Sequence, residues 1–223
     1  MGNGIIKFLV DSFLSVVYSK SENCIICEAY CSDEQFICKS CFKKIDFLND
    51  SFLLKKNGIE FECYSTAYYS GIIAELVKRL KYRSDFNSGE VLAKMLIDLL
   101  TAKPIQYDLI TYIPMTKASL KVRGFNQGRF LAVEIGRNFN KSVEELVVKV
   151  KNTKDQIGLD EENRWENLKD CFRVINKNKI IGKKILIVDD VITTGATAFW
   201  AAKEILNSGA EKISVLTVAK SKL

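Results

Sequence analysis

The stretch Ile185–Thr197, ILIVDDVITTGAT, constrains this chain more than any other. Its leading run, Lys184–Asp189 (KILIVD), is continuously apolar rather than alternating, so it reads as a strand covered on both faces. Such strands belong to parallel sheets flanked by helices. The run ends in two acids, Asp189 and Asp190, followed by Val191 and a Thr-Thr-Gly turn. A helical pattern then opens over Ala196–Asn207 and stops at Ser208-Gly209. In an open α/β sheet, ligands bind beyond the carboxyl ends of strands. The turn offers backbone N–H groups at a helix start, and Gly195 permits close approach. Thr193, Thr194 and Thr197 add hydroxyls, which makes the segment a candidate phosphate cradle. Carboxylates beside it suit sugar hydroxyls or a Mg²⁺ shell.

Rival readings of the acid pair are weaker. A Walker B strand also ends in acids, but GxxxxGK[ST] is absent from the chain. A glycosidase needs its two carboxylates facing one site, whereas adjacent strand residues point to opposite faces. The bland alternative is a strand end followed by a helix cap.

The remaining pattern alternates strands and helices. Helices are expected over Gly71–Tyr82, Gly89–Leu100 and Gln127–Phe139. Strands are expected over Asp108–Pro114, Leu146–Lys151, Cys171–Ile175 and Ile213–Ala219. This predicts an α/β fold with a mostly parallel sheet flanked by helices. Residues 42–66 read as a connector with some extended structure. Only two prolines occur, so no Pro-rich linker marks a boundary. The expected division is 1–66 for an N-terminal module and 67–223 for the α/β domain.

The cysteines define that module. Five of the chain's seven lie between Cys24 and Cys41, in a segment too short and polar to build its own core. Cys24-x2-Cys27 and Cys38-x2-Cys41 form two CxxC knuckles, the spacing of a tetrahedral structural Zn²⁺ site. A redox CxxC is the competing reading. Cys31 is an alternative ligand that its spacing disfavours, and Cys63 and Cys171 read as core thiols. The chain has no histidine, which excludes Ser-His-Asp and Cys-His catalysis, HExxH metalloproteases and mixed Cys-His zinc sites.

Thirty-three Lys and Arg against 27 Asp and Glu leave a net charge of +6, which permits a polyanionic partner without requiring one. Apolar runs fall short of the ~20 residues that span a bilayer. Gly4–Tyr18 is too short, is interrupted by Asp11, and reads as an amphipathic docking helix rather than a signal peptide. Reduced cysteines and no secretion signal point to the cytoplasm.

Together these segments resemble the type I phosphoribosyltransferases. Within that superfamily they resemble the ComF-type competence proteins, including GntX-like members. Ile185–Thr197 resembles the motif that binds phosphoribosyl pyrophosphate (PRPP). Ile113–Gln127, IPMTKASLKVRGFNQ, resembles the ComF branch's strand, pyrophosphate loop and RGFNQ signature. Thr153, Gln156, Leu159, Arg164, Asn167 and Phe172 fall at the spacings of its flexible loop. The family also carries a four-cysteine module at this place.

The resemblance implies roles for these residues. Asp189 and Asp190 would contact the ribose hydroxyls. Val191, Thr193, Thr194, Gly195, Ala196 and Thr197 would hold the 5′-phosphate. Met115, Thr116, Lys117, Lys121 and Arg123 would serve the pyrophosphate, and Thr153, Gln156 and Arg164 a mobile lid. Zn²⁺ would be structural, on Cys24, Cys27, Cys38 and Cys41, and Mg²⁺ would accompany PRPP. The implied activity is phosphoribosyl transfer to an unknown acceptor, in DNA uptake during natural transformation. The alternative is a non-catalytic factor that senses PRPP or binds single-stranded DNA, working with competence proteins at the inner face of the membrane.

Overall fold

The structure is a computed structural model that describes residues 22–31, 36–48, 50–151 and 165–222. The expected helix over Gly4–Tyr18 lies outside the described residues. The chain divides into two compact units, the first ending at Lys44 and the second running Ile45–Leu223. In the first unit, helix α1 (Lys39–Phe42) follows Cys38, whose Sγ accepts the Cys41 N–H at 3.4 Å.

The second unit is built on a five-stranded sheet. Its strands are β1 (Phe52–Lys56), β2 (Ile59–Tyr68), β3 (Leu109–Tyr112), β6 (Lys184–Ile192) and β7 (Lys212–Lys220), in the order β1-β2-β7-β6-β3. β2, β7, β6 and β3 are mutually parallel, and β1 closes the edge antiparallel to β2. A separate antiparallel pair joins β4 (Val147–Lys149) to β5 (Phe172–Val174). The helices are α2 (Gly71–Arg83), α3 (Phe86–Ala102), α4 (Lys117–Arg123), α5 (Gln127–Phe139) and α6 (Ala196–Asn207).

Two segments differ from the sequence expectation. Residues 52–68 are strands of the sheet rather than a connector, so the unit boundary falls after Lys44 instead of at 66. β2 pairs in parallel with β7, and Ser65 and Thr217 exchange a buried hydroxyl bond at 2.6 Å across that pairing. Nothing short-range in the sequence announces this pairing, because β2 and β7 lie at opposite ends of the unit. The second difference is Lys117–Arg123, expected as part of the pyrophosphate loop, which forms the short helix α4. Thr116 caps it by accepting the Ser119 N–H at 3.1 Å, and Gly124 ends it at φ 83°.

The core lies around β6 and β7. Leu186, Ile187, Val188, Val215 and Leu216 are fully buried, as a central parallel pair should be. One side is filled by an aromatic cluster. Phe199 of α6 lies 5.2 Å from Trp165, 5.5 Å from Trp200 and 6.3 Å from Phe61, centroid to centroid. The Trp200 indole N–H donates to the Trp165 carbonyl at 3.0 Å, which satisfies its one polar atom. Phe199 is the hub of this cluster. Phe199→Ala should therefore destabilise the protein by about 3–5 kcal/mol, read as a lowered urea midpoint; a loss near zero would show that the cluster is not a packing centre.

Candidate functional site

The apolar run of β6 sets where its acids emerge. Val188 is fully buried, Asp189 is half-buried and Asp190 is buried. Each carboxylate accepts the next backbone N–H: Asp189 Oδ1 from Asp190 at 2.9 Å, and Asp190 Oδ1 from Val191 at 2.8 Å. The other oxygen of Asp190 meets Lys81 Nζ at 2.6 Å. Burial works to lower the Lys81 pKa, but the Asp190 carboxylate outweighs it and holds the ammonium above its ordinary value. Burial, then the neighbouring Asp190 charge, push the Asp189 carboxyl up to about 8. Asp189 thus behaves as a carboxyl short of positive charge.

The turn after β6 is tightly built. Gly195 caps α6 at φ 80° and makes no side-chain cap bond. Thr194 Oγ1 accepts the Ala196 N–H at 3.4 Å. A Cβ on Gly195 would overlap Leu54 Cδ1 of β1, so the hairpin edge packs directly on the turn. Thr193, Thr194 and Thr197 are half-buried around it. The predicted cradle and the acid pair are therefore contiguous at the carboxyl end of β6.

RGFNQ positions the neighbouring helix. Asn126 caps α5, accepting the Arg129 N–H at 2.9 Å and donating to the Ile113 carbonyl at 3.0 Å. Arg123 donates to Gln127 Oε1 at 2.8 Å. Phe125 packs on Phe86 at 5.2 Å. A Cβ on Gly128 would come within 3.3 Å of the Val188 carbonyl and 3.7 Å of Asp189 Oδ1, so α5 starts against the acid pair. Of the basic residues, Arg123 is half-buried with its guanidinium 5.6 Å from the Tyr82 ring, whereas Lys117 and Lys121 are exposed. Met115 and Thr116 are half-buried between β3 and α4. Thr153, Gln156 and Arg164 lie outside the described residues.

Several residues join this site without having been singled out as site residues. Lys81 is the clearest. Its only sequence signal is its place in the Lys81-Tyr82 end of α2, and the helix face it occupies was not readable as site-facing. Tyr69, at the end of β2, is half-buried; burial first and then the charges of Asp190 and Tyr82 raise its pKa, with Lys81 opposing. Lys149 of β4 is held below its ordinary pKa by burial, against the charges of Cys171 and Asp189. A lysine in an LVVKVK run reads as a solvent-facing position, which is why the sequence hides it.

In the first unit, the Sγ atoms of Cys24, Cys27, Cys38 and Cys41 all lie within 4.8 Å of one another. Cys27 and Cys38 sulfurs are 3.6 Å apart. Tetrahedral Zn–S bonds of ~2.3 Å place sulfurs ~3.8 Å apart, so the four thiols are arranged to hold a metal such as zinc. Cys31 is buried nearby but outside that set; burial and the charges of Cys24 and Cys38 push its thiol up. Cys63 and Cys171 are buried in the second unit, as expected of core thiols.

The architecture is an α/β unit with a mostly parallel sheet, preceded in the chain by a unit that carries a four-cysteine cluster. More particularly, in sequence the chain is similar to proteins named for competence and DNA utilization. Competence protein F of Haemophilus influenzae is 29% identical over 161 residues, covering 69% of this chain and 70% of that protein. Competence protein ComFC of Bacillus subtilis is 27% identical over 191 residues, covering 83% and 72%. DNA utilization protein YhgH of Escherichia coli is 28% identical over 163 residues, covering 70% and 71%. No family model matches the chain. Among solved structures, glutamine PRPP amidotransferase from B. subtilis aligns with a TM-score of 0.45 at 14% identity, over 74% of this chain and 35% of that one. Among the described residues, no helix is long and apolar enough to cross a membrane.

The Leu54–Gly195 contact is directly testable. Gly195→Ala should lose at least the left-handed backbone cost of about 1–2 kcal/mol, plus the overlap with Leu54. Adding Leu54→Ala should recover the overlap part only, seen as a non-additive pair in urea unfolding. Strict additivity would mean the two residues do not touch.

Proposed function

We propose that the second unit binds PRPP at the carboxyl end of β6 and transfers its phosphoribosyl group to a nitrogenous acceptor. The observation that carries this reading is the contiguity of the Asp189-Asp190 pair with a helix start headed by Gly195, which has no side chain to cap it. In this reading the turn Val191–Thr197 takes the 5′-phosphate through backbone N–H groups and threonine hydroxyls. Asp189 and Asp190 accept from the ribose hydroxyls. A bound cation would draw the raised Asp189 carboxyl into its ionised form, and the negative charge of the pair then favours the positive charge that develops at the anomeric carbon. Met115 and Thr116 with Lys117, Lys121 and Arg123 serve the pyrophosphate end.

Transfer forms a bond from the acceptor nitrogen to the anomeric carbon as the bond to the pyrophosphate oxygen breaks, the electron pair leaving with pyrophosphate. Asp189 and Asp190 are the residues that would hold Mg²⁺ with the ligand, since two adjacent carboxyls offer the hard oxygen donors that ion takes. Mg²⁺, when bound, supplies charge that stabilises the departing pyrophosphate. With no histidine in the chain, the acceptor's own lone pair or a site carboxylate takes the place of an imidazole base.

The relatives' names connect them with competence and DNA utilization, which supports a role for this chain in the uptake or handling of DNA. A second reading is a PRPP-binding or single-stranded-DNA-binding accessory factor without turnover, acting beside competence proteins in the cytoplasm. One observation favours it: α4 exposes Lys117 and Lys121 next to Leu120 and Val122 and buries none of its residues.

Calorimetry with PRPP and Mg²⁺ should show binding that the double substitution Asp189→Asn/Asp190→Asn abolishes; unchanged binding in that variant would sink the assignment. Release of pyrophosphate across a panel of nucleobases then separates the two readings, since binding without release with any base selects the accessory one. For the first unit, Zn²⁺ is the proposed structural ion, and metal analysis should return about one per chain. Cys24→Ser plus Cys41→Ser should abolish that zinc and open the unit to protease, because a module with so small a core draws its folding free energy from the metal. A metal-free wild type that resists protease equally well would refute the zinc reading.

A further inference from the structure

A second cleft lies at the opposite end of the sheet. It has a volume of about 460 Å³ and is lined by Leu100, Ile105, Tyr107, Phe139, Lys141 and Lys184, with Pro104, Gln106 and Asp108. Lys184 begins β6, so the cleft is roughly 16 Å from Asp189 at ~3.3 Å per strand residue. It is distinct from the acid-pair site.

Its polar groups are unequally engaged. Lys184 Nζ is held by Gln106 Oε1 at 3.1 Å and lies 3.5 Å from Glu211 Oε1. Asp108 Oδ2 accepts the Lys184 N–H at 2.8 Å. Lys141, by contrast, is exposed, and its Nζ stands 5.7 Å from the Tyr107 ring centroid. Among the described residues no carboxylate pairs with it. Leu100 is buried, and Ile105, Tyr107 and Phe139 are half-buried, giving an apolar floor with two aromatic rings. Helices α3 and α5 end beside the cleft, and the partial negative charge of helix C-termini disfavours a multiply charged phosphate. A single carboxylate meets less of that repulsion than a phosphate does, and at the mouth Lys141 can offset it.

From this we infer that the cleft is a second ligand site, for a small planar aromatic carboxylate whose ring lies on Tyr107 and Phe139 and whose acid meets Lys141. The volume falls in the ~300–1,000 Å³ range of small-molecule sites, and an apolar lining with few placed polar groups is their usual chemistry.

The probe is 2-naphthoate, titrated into the full chain labelled at isoleucine methyl groups. The Ile105 methyl should shift saturably, while that of Ile192, beside the Gly195 turn, should not. Lys141→Glu, an exposed substitution that leaves the fold intact, should weaken the Ile105 response about tenfold, the loss of one charge-assisted contact. The neutral analogue 2-naphthalenemethanol should bind more weakly by a similar factor. The proposal is overturned by an Ile105 methyl that stays still, by Lys141→Glu binding as tightly as the native chain, or by the alcohol matching the acid.

Discussion

A carboxylate as buried as Asp190 is costly unless a cation meets it, and Lys81 does so at 2.6 Å. Much of the site's geometry follows from that pair. It ties the last turn of α2 to the carboxyl end of β6, two elements distant in sequence. Burial and the Asp190 charge push the adjacent Asp189 carboxyl up to about 8, with Lys81 opposing. Removing either partner would leave an uncompensated charge in the place where the chain can least accommodate one.

Around that pair the backbone is brought unusually close. Gly195 carries Leu54 of β1 against its missing Cβ, and Gly128 brings α5 to the Val188 carbonyl. Both contacts use glycine for lack of a side chain, and Gly195 also for its left-handed φ. β1 and α5 thus reach the neighbourhood of the acid pair at two glycines.

Much of this was legible in the sequence because the decisive signals are local. The apolar run of β6, the acids that end it, the Thr-Thr-Gly turn and α6 are consecutive, and the boundaries Ala196–Asn207 and Gln127–Phe139 match the structure. The paired CxxC knuckles are equally local, and their four sulfurs converge. What escaped is non-local. β1 and β2 looked like a connector because β2 is supported by its pairing with β7, more than a hundred residues away, and β1 in turn by β2. Lys81 and Lys149 looked like ordinary solvated lysines, since a helix or strand pattern does not say which face another element will cover. The helix α4 escaped for a different reason. It buries nothing, so hydrophobic periodicity had no face to report, and only the Thr116 cap and Gly124 stop define it.

The sequence by itself determined the α/β class, the strand that carries the acids, the glycine turn that follows and the four thiols of the N-terminal module. Each is a property of consecutive or closely spaced residues, where covalent geometry and side-chain chemistry leave few choices. Tertiary structure alone decided that Lys81 meets Asp190, that Leu54 seats on Gly195, and that Tyr107, Phe139 and Lys141 share a cleft at the far end of the sheet. Those meetings depend on the order and parallel register of the strands, and such long-range pairings are set by burial of the whole sheet rather than by any segment of it.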